Sequence, residues 1–319
     1  MIVYGPVPSR RLGKSLGINN IPPKICTYSC VYCQLGRTNN LQVKRKEFYN
    51  PQEMFKSVKN KVKSLSKNPI DYIAFVPDGE PTLDINLGEE IELLKTLGFK
   101  IAVITNSSLI FDKKVRDDLC KADWVSLKID AISPDIWKKI NRPHGSLNID
   151  MILDGLSDFS QSFKGHLVTE TMLVKGINDS YREIEKISKF ISEIKPKQSY
   201  ISVPIRPPAE SWVKIPNEEH LNAAYQIFSK NNISVEYLIG YEGNAFSSTG
   251  NFVQDILTIT SVHPIREEGI NELLKKTNES WDLIKTLLKE EKIIETEYNN
   301  KKFYLRNLKK IKEIKTHEG

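Results

Sequence analysis

The chain reads as an α/β protein: a partial barrel of about six strand–helix units over residues 1–245, then a small α+β unit over residues 251–319. Three observations predict this. From residue 70 to 206 short apolar strands alternate with amphipathic helical stretches, the pattern of βαβ units and a parallel sheet or barrel. After residue 250 the alternation stops, and three helical stretches precede two short strands. Between the two regions, residues 240–250 carry the Gly and Ser content of a linker.

The elements follow in order. Residues 16–19 are the first strand. Residues 51–65 are the first helix, with Phe55, Val58, Val62 and Leu65 on one face and Lys56, Lys59, Lys63 and Lys67 on the other. Strands are then expected at 73–76, 100–105, 124–129, 166–174 and 200–205, and helices at 87–97, 113–121, 149–159 and 181–194. Six such units fall short of the eight that close a TIM barrel. Beyond the linker, helices are expected at 252–262, 265–276 and 278–290. Strands at 293–298 and 301–305 flank Asn299-Asn300, a pair suited to a tight hairpin turn. Three helices and a hairpin are the order of a winged helix-turn-helix.

Composition narrows the function class. The 319 residues are 39% hydrophobic and 27% charged, with 16 Gly and 16 Pro, as in a folded globular protein. The longest apolar runs stop far short of the ~20 residues of a membrane span. The first residues lack the basic start and apolar stretch of a secretory signal, so the expected location is the cytoplasm, where thiols stay reduced. Net charge is +6, but residues 37–67 carry +7 and residues 301–315 carry +6, which leaves the rest acidic. Two basic patches of this kind attract phosphate backbones without reading sequence.

Three of the four cysteines crowd into Cys26-Thr27-Tyr28-Ser29-Cys30-Val31-Tyr32-Cys33. In a reducing compartment this points to a metal rather than to disulfides. Four readings compete. A structural zinc site wants four ligands, commonly two separated pairs, and no second pair exists. An iron–sulfur cluster is held by thiolates, and three of them leave one iron of a four-iron cluster open. A redox dithiol needs only Cys30 and Cys33 and leaves Cys26 idle. The fourth is coincidence. Cys120, beside the apolar helix positions Val115 and Leu119, is expected to be a buried, inert thiol.

The Cys-x3-Cys-x2-Cys spacing with Tyr32 before the last cysteine resembles the signature of the radical SAM superfamily. Pro8-Ser9-Arg10-Arg11-Leu12-Gly13, Ser15-Leu16-Gly17-Ile18-Asn19 and Gln34-Leu35-Gly36-Arg37-Thr38 make the surrounding segment similar to the branch of the tRNA wyosine-base synthases. The resemblance covers residues 4–245. It implies a partial (βα)6 TIM-like barrel of the radical SAM type. A [4Fe–4S] cluster on Cys26, Cys30 and Cys33 would sit beyond the carboxyl ends of the strands, with S-adenosylmethionine on the open iron. One electron would then yield methionine and a 5′-deoxyadenosyl radical that abstracts hydrogen. The archaeal wyosine synthases carry three more cysteines upstream. None of the 25 residues before Cys26 is a cysteine, so a single-cluster form is expected.

Further segments match the same family. Asp78-Gly79-Glu80-Pro81-Thr82 occupies the place of its Gly-Glu pair, which receives the cofactor's ammonium group through backbone and carboxylate. Ser126, Lys128 and Asp130 share one face of their strand by period 2, a polar stripe that is costly unless it lines a wet site. Lys128 is read as a cofactor-carboxylate contact, a substrate-phosphate contact or a reactive amine, against the plainer reading of a lysine paired with Asp130. Asn106 and Thr171 are candidate cofactor or substrate contacts. Arg206, in the exit of the sixth strand, is a candidate for an anionic substrate group, and the Arg142-Pro143-His144 loop for a phosphate.

The expected function is therefore S-adenosylmethionine cleavage by a radical enzyme, with a tRNA or other RNA base as substrate and ferredoxin or flavodoxin as electron donor. The alternatives are the same chemistry on a small metabolite or protein, and an iron–sulfur regulator that binds nucleic acid.

Overall fold

The computed structural model describes residues 2–65, 70–238, 248, 250–262 and 264–307. The first part holds β1 (Val3–Ser9), β2 (Gly13–Ile18), β3 (Ile25–Cys26), β4 (Asn40–Leu41), α1 (Pro51–Ser64), β5 (Tyr72–Phe75) and α2 (Leu87–Lys95). Then come β6 (Lys100–Thr105), α3 (Lys113–Leu119), β7 (Trp124–Lys128), α4 (Pro134–Asn141), α5 (Ile149–Ser162), β8 (His166–Met172) and α6 (Tyr181–Ile194). The barrel closes its run with β9 (Gln198–Ser202), α7 (Glu218–Lys230) and β10 (Val235–Leu238).

One eight-stranded sheet runs in the order β1-β2-β5-β6-β7-β8-β9-β10. From β2 onward every pairing is parallel; only β1 is antiparallel, on the edge. The curled sheet is a partial barrel, as predicted, with three additions. Edge strand β1 contains Pro6 and Pro8, which lack a ladder donor and hide it from a period-2 reading. Helix α4 opens on Pro134 after Ser133, a start signal that the sequence reading passed over. Helix α7 and β10 supply a seventh parallel strand beyond the expected six.

Strand pleating sorts the side chains. Ala74, Ala102, Trp124, Val168, Tyr200 and Leu238, one from each strand of β5 to β10, form an apolar layer inside the barrel. Small residues on β5 and β6 make room for the indole and phenol opposite. The alternate positions, among them Ile73, Ile101, Val125, Leu127, Leu167 and Ile201, face the helices in the main core. Asn50, Asn148, Ser180 and Asn217 cap α1, α5, α6 and α7 through their side chains, each worth about 1 kcal/mol.

The carboxyl-terminal part holds α8 (Phe252–Val262), β11 (Ile265–Arg266), α9 (Glu267–Thr277), α10 (Asp282–Lys289), β12 (Ile293–Tyr298) and β13 (Lys301–Arg306). Its three strands pair antiparallel in the order β11-β13-β12, around its own apolar cluster of Phe252, Ile256, Ile270, Leu273, Ile284 and others. Asn299 and Asn300 both take positive φ, so the expected hairpin turn is present. Asn278, also at positive φ, ends α9, and the third helix therefore begins at Asp282 rather than at 278. The Tyr298 hydroxyl at the hairpin tip donates to the Pro204 carbonyl, 2.8 Å away. Most of the expected linker, together with Lys67 and the tail from residue 308, lies outside the described residues.

Candidate active site

A cavity of about 320 Å³ opens at the carboxyl ends of the strands. Cys26, Cys30, Cys33, Tyr32, Gly79, Glu80, Asn106, Lys128 and Arg206 all line it. The long loop after β2 carries the cysteines there. The loop is tied down at both ends: Gln42 N donates to Cys26 O at 3.0 Å, and Val31 N to Ile140 O at 2.9 Å. Burial raises the thiol pKa values of all three, with Cys30 pushed up to about 12 and the neighbouring carboxylates adding to the effect at Cys26 and Cys30. That is the opposite of what a redox dithiol needs. The Asn106 amide donates to Cys26 Sγ and the Asn141 amide to Cys30 Sγ, each at 3.4 Å.

Gly79 is where the loop meets the strand ends. A Cβ on it would lie 1.8 Å from the Ile25 carbonyl oxygen, so only glycine lets the cysteine segment pack there. Glu80 is buried and already occupied. Its carboxylate accepts from Thr82 N and Oγ1, from Thr105 Oγ1 and from Asn106 N, between 2.6 and 3.1 Å. It binds the exit of β5 to the exit of β6. Asp78 differs. It is buried and lines the cavity, Oδ1 has no hydrogen-bond partner among the described residues, and burial lifts its pKa to about 7.

Further in, Lys128 on β7 faces Glu170 on β8 in register. Lys128 Nζ lies 2.8 Å from Glu170 Oε1 and 3.8 Å from Asp130 Oδ1, and 5.2 Å from the centre of the Tyr32 ring. Arg11 reaches the same carboxylate from the turn before β2, and Ser202 donates to it at 2.9 Å. Although burial opposes it, the two cations hold Glu170 at about 2, and the carboxylates outweigh burial at Lys128 and raise its pKa. Lys128 thus sits in an ion pair with Glu170 first and Asp130 second, where the plainer reading had Asp130 alone. Arg11 and Glu170 went unassigned in the sequence reading. A glutamate at the centre of an apolar strand was the available signal.

Four expected contacts lie elsewhere. Thr171 is on the outer face of β8, where Oγ1 donates to Ile129 O at 2.8 Å; period 2 on that strand puts Val168, Glu170 and Met172 inward instead. Pro81 opens a single 3-10 turn behind the cavity wall, and its carbonyl accepts from Asn20. Ser126 sits one layer beneath Lys128, buried and without a hydrogen-bond partner among the described residues. Asp130 is a buried hub that accepts from Tyr32 Oη, Asn141 Nδ2 and Met172 N, and so orients Tyr32 rather than lining the cavity. Arg206 donates to Gln34 Oε1 at 2.8 Å. Cys120 is exposed, not buried, because Val115 and Leu119 occupy the inner face of α3.

Comparison with known proteins decides the family. The model of the Radical SAM superfamily matches residues 20–191, which contain the three cysteines and the first four of the parallel strands after β2. This chain belongs to the radical SAM superfamily. It is 49% identical over 313 residues to the UPF0026 protein MJ1312 of Methanocaldococcus jannaschii, covering 97% of each chain. It is 30% identical to a UPF0026 protein of Helicobacter pylori, covering 95% of this chain and 97% of that one. Among solved structures it resembles a radical SAM methyltransferase from Sphaerobacter thermophilus, with a TM-score of 0.52 and 16% identity over 70% of this chain and 66% of that one. At that identity the likeness concerns the fold.

Radical SAM proteins are S-adenosylmethionine-dependent enzymes that use a [4Fe–4S] cluster and need a reductant. The residues here fit that cofactor set. Among the described residues no three His, Cys, Asp or Glu side chains converge as a single-ion site requires. A cubane does not ask for convergence, since each thiolate takes a different iron. Three neighbouring thiols with amide donors aimed at two of the sulfurs match such a group, and binding it would expel the thiol protons. Among the described residues no helix is long and apolar enough to cross a membrane.

Proposed function

We propose that Cys26, Cys30 and Cys33 hold a [4Fe–4S] cluster and that the cavity beside them binds S-adenosylmethionine for radical attack on an RNA base. The observation that carries the reading is the meeting of the three thiols, a buried carboxylate with one unpartnered oxygen and a floor of paired charges in one 320 Å³ cavity. When bound, the cluster supplies the electron that releases a 5′-deoxyadenosyl radical from the cofactor, and a donor of the ferredoxin or flavodoxin kind replenishes it.

The chain's own residues then have distinct tasks. Asp78, with Oδ1 unpartnered, receives the cofactor's ammonium, while saturated Glu80 fixes the turn that presents it. Asn106 and Asn141 donate to sulfur and stabilise the thiolates. Tyr32, held by Asp130, screens the cysteines from water. Lys128 and Arg11 are balanced by Glu170 and Asp130, and their N–H groups, with those of Arg206, suit a carboxylate or phosphate oxygen.

Three features support RNA as the substrate class. The segments around the cysteines resemble the wyosine branch. The order α8-β11-α9-α10-β12-β13 is the one expected of a winged helix-turn-helix, and its hairpin, with Lys301, Lys302 and Arg306 against Glu295 and Glu297, touches Pro204 in the cavity wall. The first basic patch contributes exposed Arg37, Lys44, Lys56, Lys59 and Lys63, although Arg45 is spent internally on Asp118 and two carbonyls. Anaerobic purification at low salt tests this: tRNA is expected to copurify and to dissociate steeply as salt is raised. Protein free of nucleic acid at low salt, with a bound small metabolite instead, would redirect the substrate assignment.

A further inference from the structure

Of the four tryptophans, Trp124 and Trp137 are buried and Trp281 packs edge-on against Tyr304. Trp212 is 49% exposed. Leaving an indole in water forgoes the burial that usually justifies the residue, so a rigidly displayed one calls for an explanation. Trp212 is displayed rigidly. It occupies a turn closed by Val213 N donating to Glu210 O at 3.1 Å, and Val213 beside it is anchored in the core.

Glu210 pins that turn to the cysteine loop. Its N–H donates to the carbonyl of Val31, between Cys30 and Cys33, at 3.1 Å. Its carboxylate accepts from Arg37 Nε at 2.7 Å and Nη2 at 2.9 Å, and from Arg142 Nη1. On the other side, Lys175 N donates to Lys214 O at 2.9 Å, which brings two exposed lysines to the foot of the turn. The turn that carries the indole is thus pinned to the cysteine loop, and it follows Arg206 of the cavity wall by six residues. Arg37 and Arg142 flank the turn through Glu210, Lys175 and Lys214 stand at its foot, and Glu210 neutralises only part of their charge.

We infer that Trp212 is a stacking platform for a nucleobase of a bound RNA strand, with Lys175, Lys214 and the outward edges of Arg37 and Arg142 meeting its phosphates. A flat aromatic face beside a positive track is the chemistry by which proteins hold unpaired nucleotides: every base has a π-face, and the cations follow the backbone. An enzyme that attacks a base must keep that base out of its stack, and a platform on a turn pinned to the cysteine loop would grip a neighbouring nucleotide. The inference rests on the RNA reading above and adds a residue to it.

The test uses the cluster-loaded protein under anaerobic conditions and two probes, unfractionated tRNA and a short single-stranded oligoribonucleotide. Affinity is measured by anisotropy at several salt concentrations for the wild type, Trp212→Ala, Trp212→Phe and the double variant Lys175→Gln/Lys214→Gln. Thermal midpoints confirm that each variant is folded. Trp212→Ala is expected to weaken binding roughly fivefold to a hundredfold with the salt slope unchanged, because stacking releases no counterions. Trp212→Phe should retain most of the affinity. The lysine pair should instead flatten the slope by about 1.4, from two lost phosphate contacts on a single strand. Wild-type affinity in Trp212→Ala overturns the platform and leaves the RNA reading standing. No RNA binding by the wild type overturns both. Unchanged RNA affinity with slowed reduction by flavodoxin would assign Trp212 to a protein partner and also overturn the platform.

Discussion

Glu170 is held by Lys128, Arg11 and Ser202 on the floor of the cavity. Glu170→Gln would deprive two largely covered cations of their shared partner, and breaking a buried pair costs at most about 3–5 kcal/mol. A large fall in thermal midpoint is expected, partly restored by adding Lys128→Met; a midpoint equal to wild type would show that the group is not buried as described. Asp78 gives a pH signature. Its pKa is about 7 folded and ~3.9 unfolded, so between those values the unfolded chain has released a proton that the folded protein keeps. Stability must then fall as pH rises through that window. In cofactor-free protein, Asp78→Asn should gain on the wild type from about pH 4 to about pH 7, by at most ~4 kcal/mol. A difference that stays flat with pH contradicts the burial of this carboxylate. At this scale the meeting of the cysteines, Tyr32, Lys128 and Asn106 in one cavity was legible, because their spacing or strand face is visible locally. It misplaced Thr171 and missed Glu170, because which face of β8 turns inward depends on its neighbours in the sheet.

Elements were more legible than contacts. The helix Tyr181–Ile194 and the strand Lys100–Thr105 coincide with their expected bounds, since each carries an unbroken period and a clean start. Strand β1 did not show, because Pro6 and Pro8 erase the pattern that edge position tolerates. The meeting of the cysteine loop with the exit of β5 is likewise invisible in sequence. There Gly79, which lines the cavity, also packs against Ile25 O, a contact that no local spacing foretells. Gly79→Ala must push the loop outward, a strain of about 1–3 kcal/mol. Iron content per chain is expected to drop sharply together with the thermal midpoint, and full iron loading at wild-type stability would refute the packing argument.

For the whole molecule, seven parallel strands leave one end of a curled sheet open. The chain places there its most crowded cysteines, a floor of paired charges and, through Tyr298, the tip of the carboxyl-terminal hairpin. The partial barrel was legible because βα alternation is a global pattern; the seventh strand was not, because a loop from residue 203 to 217 interrupts the rhythm before α7. Everything chemical depends on the three thiols gripping a four-iron cluster with one corner free. The most direct measurement is electron paramagnetic resonance of the dithionite-reduced, oxygen-free protein with and without S-adenosylmethionine, paired with assay of 5′-deoxyadenosine. A reduced [4Fe–4S] signal that changes on adding S-adenosylmethionine, with 5′-deoxyadenosine formed by the wild type and not by Cys30→Ala, is predicted. Zinc in place of iron, absence of acid-labile sulfide, or product formed equally by Cys30→Ala would contradict it.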